Sequence, residues 1–419
     1  MRISARAVVA LLLVAACSDS TKPVDPATVV RVAISPANIA ILKGAKGSLS
    51  LSTLDASGAD VHADARWFSS DSSIATVSQD GTVTGVNYGA VDIIALVNGP
   101  AAPAHVLVMA SPAPRTYALA DLGAAATVSG EIARQLSDSG DVVSGPGATL
   151  YRNGIGIALS GCAAWVAING PGHVLCRTAT SDAVSSYAIW HDGTLTPLAA
   201  ADTFAATDFR AFALNDSDEV AGLFYMPTFS NAQCPATGVR CLAIWKGGMV
   251  SFPGYNALND VMLFNLRHQV VLESPIWYED GGRQALVRDV PSGSQRIAPW
   301  GVHALNENGW GAVETPYRFH DTNTSGTSAS VTTPDHTIYL GDGGATGIND
   351  ANVVVGTLAV GPFIWRGQGG VSLLDHAAID PSWTITRASE INNRGQILAT
   401  ADNTDGRKGH AVILTPTQP

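Results

Sequence analysis

Chemistry needs nucleophiles, acid–base pairs or metal ligands brought to one place, and the candidates in this chain are few. Five cysteines include Cys17, which follows Val14-Ala15-Ala16, and two closer groups, Cys162 with Cys176 and Cys234 with Cys241. None forms a CxxC motif or a ligand spacing with the ten histidines, so no zinc site is expected. Asp321-x-Asn323-x-Ser325-Gly326 begins like a calcium loop, with oxygen ligands at alternate positions and a Gly at the sixth. Thr332 stands at the twelfth position, where a bidentate Glu is required, so the stretch reads as a flexible Ser/Thr-rich insertion. Asn215-Asp216-Ser217-Asp218-Glu219 is acidic enough for a weak cation but reads as a solvated turn, and His191-Asp192 reads as an exposed hairpin. No HExxH, GxSxG, P-loop or GxGxxG lies in a supporting context. The expectation is that no residue is catalytic, cofactor-binding or metal-binding and that the chain is not an enzyme, although a site assembled from distant loops leaves no motif.

Composition narrows what could position a site. Charged side chains make up 14% of the chain against roughly 25% in an average domain, and 42 glycines exceed the usual share, which favours a turn-rich all-β protein over long salt-bridged helices. A net charge of -11 without a basic run would repel phosphate backbones, so no nucleic-acid partner is expected.

The first residues are an address. Arg2 and Arg6 form a basic region, Val8 to Val14 an apolar one, and small residues precede Cys17, which is the layout of a secretory signal. The tetrad Val14-Ala15-Ala16-Cys17 resembles the bacterial lipobox, which implies cleavage before Cys17 and acylation of its thiol. Ser18, rather than Asp, implies sorting to the outer membrane. Residues 1–16 are then a signal peptide and 17–28 a flexible tether, with the membrane as a partner through lipid alone. Four cysteines remain in an oxidising compartment. Cys234 and Cys241 are expected to pair across the loop CPATGVRC, and by elimination Cys162 pairs with Cys176, although these two flank a hairpin out of obvious register.

From Val29 to Met109 short runs alternate apolar and polar residues: VVRVAIS, GSLSLST, ARWFSS, SIATVS, GTVTGV, AVDIIALV and AHVLVM. Seven or so strands over residues 29–110 suggest an Ig-like sandwich. Trp67, Ser69, Ser70, Ala75, Val77, Gly81, Val83, Gly89 and Ile93 follow the pattern of, and resemble, the bacterial Ig-like group 2 domain. In that family such domains serve as spacers in surface proteins and sometimes as adhesive modules; the spacer role is expected here.

After a linker at 111–115, one phrase returns through residues 116–419: QLSDSGDVV, AINGPGHVL, ALNDSDEVA, FNLRHQVV, ALNENGWGAV, GINDANVVVG and EINNRGQILA. It places Ser137, Asn169, Asn215, Asn265, Asn306, Asn349 and Asn392 in one column. Spacings around 40–50 residues suit propeller blades of four strands. A second column holds Tyr151, Trp190, Trp245, Trp277, Phe319, Trp365 and the Val412–Leu414 stretch. These phrases resemble the bacterial extracellular repeat named for its His-Ala-Phe (HAF) triplet. Asn-Asp-x-Gly is hairpin chemistry, the Val-Val run is expected to be the inner strand, and the aromatic is expected to pack between blades.

The seventh copy ends at HAVILTPTQP without a fourth strand, while TYALADLG precedes the first copy without a blade. Pairing Tyr117 to Leu122 alongside His410 to Leu414 would close a seven-bladed β-propeller and remove both edges. The expected function is that of a lipid-anchored surface protein whose Ig-like spacer presents the propeller for binding or adhesion to a glycan or protein ligand. The alternative is a secreted polysaccharide-acting hydrolase or lyase.

Overall fold

The structure is a computed structural model that describes residues 29–109, 116–124, 135–144, 148–178, 186–198, 209–226, 239–251, 256–257, 261–273, 284–291, 294–299, 301–318, 325–367, 370–374 and 379–417. The chain divides into Met1–Ser111 and Pro112–Pro419. Both units are built of strands, and among the described residues no helix is long and apolar enough to cross a membrane.

The first unit is the Ig-like sandwich, with nine strands among the described residues where the sequence separated seven. One run was missed, Asn38–Leu42, which pairs in parallel with Ala101–Met109. Another, GSLSLST, is split at Leu49 because the chain changes sheets there: Lys46–Ser48 pairs Thr82–Gly85, whereas Ser50–Leu54 pairs Arg31–Ser35. Trp67 fills the core beside Leu49, Val83 and Ile93. Gly81, at φ +82°, has no room for a side chain because its Cβ would run into the Leu49 carbonyl oxygen.

Among the described residues the second unit is a ring of seven sheets, all antiparallel, whose strands are counted from the axis outward. Ala164–Ile168, Val174–Arg177, Tyr187–His191 and Thr194–Pro197 form the second blade in that order. The expected closure is present. Tyr117–Gly123 is the outer strand of the seventh blade, with Tyr117 opposite Pro416, Leu119 opposite Leu414 and Asp121 opposite Val412. Leu122 and Ile413 of that blade then pack with Leu136 and Val142 of the first. Between the fifth and sixth blades the chain does not turn at all: Thr337–Ile348 is the fourth strand of one in its first half and the first strand of the next in its second.

Several expectations need correction. The Val-Val run is the second strand, not the innermost; Val142–Val143, Val174–Leu175, Val270–Val271 and Val354–Val355 are all wholly buried. A strand covered by a blade on each face reads as a continuous apolar run, whereas the axial strand, facing a cavity on one edge, need not. Trp190 and Trp245 pack as expected, the first with Val143 and Leu150 of the first blade and the second with Leu175 and Tyr187 of the second, in each case the preceding blade. In the fourth blade, however, the third strand is Gln284–Asp289, which places Arg288 opposite Val270, and Trp277 lies outside the described residues. In the fifth it is Ser325–Thr332, with Thr332 opposite Gly311, and Phe319 lies outside them too. The described part of the Ser/Thr-rich stretch, Ser325–Thr332, is therefore a strand and not a flexible insertion: alternating small polar and β-branched residues suit a pleated strand between two others. Asp321 and Asn323 lie outside the described residues.

Candidate functional site

The repeated turn between first and second strands builds one face of the ring. Each column Asn accepts hydrogen bonds through Oδ1 from its own turn: Asn349 from the N–H groups of Ala351 and Val353, at 3.1 and 3.0 Å, and Asn306 from those of Asn308 and Trp310, at 3.0 and 2.9 Å. Three residues beyond the column stand Gly140, Gly172, Asp218, His268, Gly309, Asn352 and Gly395, all at φ between 56° and 92°, which closes every copy of the turn in the left-handed region. Three residues before it, Val166, Phe212, Met262, His303, Thr346 and Ser389 are β-bulges on the axial strand. Turn and bulge together fix how far the strand reaches before the chain reverses.

The other end of the amide reaches the next blade. Asn169 donates through Nδ2 to the carbonyl of Asn215 (3.1 Å), Asn265 to that of Asn306 (3.0 Å), Asn306 to Asn349 (2.9 Å), Asn349 to Asn392 (3.0 Å) and Asn392 to Ser137 (2.8 Å). A second belt runs beside it: the N–H groups of Gly170, Leu266, Glu307, Asp350 and Asn393 donate to the side chains of Asp216, Glu307, Asp350, Asn393 and Asp138 in turn. Blades three and four are linked differently. There Asn215 donates to Glu219, whose other contacts are His268 of the following turn at 2.7 Å and Lys246 at 2.9 Å. The middle of the acidic turn is open to solvent, with Ser217 exposed, but Glu219 at its end is 6% exposed and covered at the blade seam.

The belts surround the mouth of the axial channel. Asp216, Glu307, Asp350 and Asn393 stand at its rim, above a cavity of about 110 Å³ lined by Leu214, Leu305, Ile348 and Ile391. Asp138 and Asp216 each bring a carboxylate oxygen to 2.7 Å from the point that a Cβ on Gly170 would occupy, and Asn393 donates to both Asp138 (3.1 Å) and Asp350 (2.8 Å). Burial pushes the Glu307 carboxyl above its ordinary range; the Leu266 N–H opposes this and the charges of Asp350 and Asp216 add to it. Deeper in the channel, His303 lies 3.7 Å from Glu314, and burial holds its imidazole below the ordinary value despite that carboxylate.

Of the residues singled out from sequence, Cys162 and Cys176 are joined as a disulfide with Cα atoms 5.6 Å apart. Cys241 is buried and disulfide-bonded; Cys234 and the proposed lipidation site Cys17 lie outside the described residues. Sequence reasoning missed the inter-blade reach of the amides and the carboxylate rim. Their signal was present in the residue after each column Asn, which is Asp216, Glu307, Asp350 or Asn393 in four copies.

Residues 28–106 match the family described as bacterial Ig-like domain (group 2), which covers the first unit and none of the second. No curated protein matches the chain. Among solved structures, domains 5-6 of the S-layer protein SbsC share 14% identity over 65% of this chain and 97% of that one, with a TM-score of 0.19. The β-propeller domain of the Trilobed protease from Pyrococcus furiosus shares 10% over 55% and 73%, at 0.33. TolB from Acinetobacter baumannii shares 9% over 78% and 60%, at 0.28. None of these three likenesses bears on function.

Proposed function

We propose that the chain is a binding protein of the bacterial cell surface, held by lipid on Cys17, in which the Ig-like domain is a spacer and the turn face of the propeller recognises an extended, hydroxyl-rich glycan. The rim carries the reading. Asp216, Glu307, Asp350 and Asn393 offer carboxylate and amide oxygens in a ring, and such oxygens accept hydrogen bonds from sugar hydroxyls. The cavity beneath, about 110 Å³, is well under the roughly 300–1,000 Å³ of a pocket that engulfs a small molecule, so contact is made along the rim. The Ig-like match supports a place outside the cytoplasm, as does the signal layout.

Two experiments test it. Cys17→Ala should move the protein from the membrane to the soluble fraction, and unchanged detergent partitioning would contradict the anchor. That soluble form should bind a restricted set of polysaccharides on a glycan array, with binding lost in a Glu307→Ala/Asn393→Ala variant that melts like its parent. A blank array with capture of an envelope protein instead would shift the reading to a protein ligand.

One observation favours a polysaccharide-acting hydrolase as the second reading: a half-buried Glu307, its carboxyl raised beside Asp350 and Asp216, is the kind of group a general acid requires. Against this, both Glu307 oxygens accept the Leu266 N–H at 3.0 Å. Release of reducing ends from any bound polysaccharide, abolished by Glu307→Gln, would establish the hydrolase.

A further inference from the structure

Eighteen residues separate His173 from His191, a spacing with no ligand meaning in the sequence, yet the hairpin of the second blade brings them together. Val174 lies opposite Trp190 on neighbouring strands, so the residues just beyond, His173 and His191, face each other. Their ring centroids are 4.1 Å apart at an angle of 54°. The first imidazole is already oriented, since Nδ1 lies 2.8 and 2.9 Å from the two carboxylate oxygens of Asp218 on the third blade. A carboxylate on one ring nitrogen fixes the tautomer and leaves Nε2 as the free lone pair, the arrangement that supports metal-bound histidines generally.

A third group is at hand. Asp192 holds one oxygen 3.4 Å from His191 Nε2, close to the roughly 3.3 Å that separates two ligands of a tetrahedral zinc with bonds of about 2.0–2.1 Å. Its other oxygen accepts from Arg152 at 3.1 Å. The pair is open to solvent, with His191 54% exposed and Asp192 57%. Among the described residues no three metal-binding side chains already stand around one point, so the third ligand must move in and water must complete the shell.

We propose that His173 and His191 form a surface site for a borderline divalent transition metal, with Asp192 as the anionic ligand and Asp218 positioning the first imidazole. Two imidazoles and a carboxylate select zinc, copper or nickel over calcium or magnesium, which prefer all-oxygen shells. The expected absence of a metal-binding residue, drawn from spacing alone, is what this inference revises.

Zn²⁺ titrated calorimetrically into the untagged, soluble full-length chain carrying Cys17→Ala should bind at one site. His191→Gln, at an exposed hairpin position, should leave the melting temperature unchanged and weaken binding at least tenfold, and the His173→Ala/His191→Ala double variant should remove it. Asp218→Asn should weaken it by about 10- to 100-fold, the usual effect of losing an orienting carboxylate. His336→Ala, away from the pair, should have no effect. Binding that survives the double variant, or a chain that takes up no Zn²⁺ at millimolar concentration, would overturn the site.

Discussion

Asn392 donates its side-chain amide to the main-chain carbonyl of Ser137, 2.8 Å away and 255 residues earlier in the chain. The same bond joins Asn349 to Asn392 and Asn306 to Asn349 across ordinary blade neighbours, so the seam where the ring closes is built like the seams within it. Glu390 adds to that closure by accepting the N–H groups of Gln135 and Leu136 at 2.9 and 2.8 Å.

Removing one amide should therefore cost more than a turn residue usually does. Asn349→Ala removes the acceptor of the Ala351 and Val353 N–H groups and one of the two bonds to the Asn392 carbonyl, which keeps the Gly395 N–H, at a position where Asn349 is 5% exposed. With about 1–3 kcal/mol for a buried group left unpaired, denaturant unfolding should report a loss of about 1–3 kcal/mol. Asn349→Asp restores the acceptor and not the donor, and should fall between the two. Tolerance of the Ala variant would mean that the belt decorates the ring without holding it.

Gly170 tests the second belt by space alone. A methyl group there would stand 2.7 Å from oxygens of both Asp138 and Asp216, and its φ is not in the left-handed region. Gly170→Ala should lower stability by about 1–3 kcal/mol, the range for overpacking, measured by thermal or denaturant melting.

The tryptophans between blades are core. Trp190, Trp245 and Trp365 are 3%, 6% and 6% exposed, and replacement of any one by Ala should cost about 3–5 kcal/mol. Variants that melt like the parent but lose glycan binding would turn the column into a binding surface.

Acid should loosen the seam between the third and fourth blades. Burial pushes the Glu219 carboxyl up, but hydrogen bonds from Lys246, Asn215 and His268 outweigh it and hold the group below its ordinary value of 4.5. A carboxyl lowered on folding lends stability that is complete above 4.5 and is lost as pH falls below it toward the folded value. Melting temperature should drop through that window, and the drop should be smaller in Glu219→Gln. Identical pH profiles for both proteins would remove Glu219 from the account.

What the sequence revealed and concealed divides along covalent reach. Asn349 and its equivalents were legible as turn residues, because a turn is decided within five positions, and Tyr117–Gly123 was legible as the missing strand because the last copy lacked one. The donation from Asn349 to Asn392 was not, since it depends on the spacing of two blades. In the fourth and fifth blades the register puts Arg288 and Thr332 at the places of the aromatic column, which a phrase ending in an aromatic and a Gly turn could not foretell, and Trp277 and Phe319 lie outside the described residues. Cys162 appeared out of register with Cys176 because it sits just before the axial strand, where Trp165 is the residue opposite Cys176 and Ala163 bonds to Arg177. His173 and His191 became neighbours only through the hairpin.

Closure of the ring by its own N-terminal strand is the claim on which the turn face, its belts and its rim all depend. Two truncations separate it from every contribution of the Ig-like unit: one chain beginning at Ser111, which keeps Tyr117–Gly123, and one beginning at Ala124, which lacks it. The first should remain soluble and melt cooperatively, near the temperature of the propeller in the full chain. The second exposes the edge of His410–Pro416 and loses Tyr117 and Leu122 from the core, so it should melt far lower or aggregate. Equal solubility and equal melting temperatures for the two chains would contradict the closed ring.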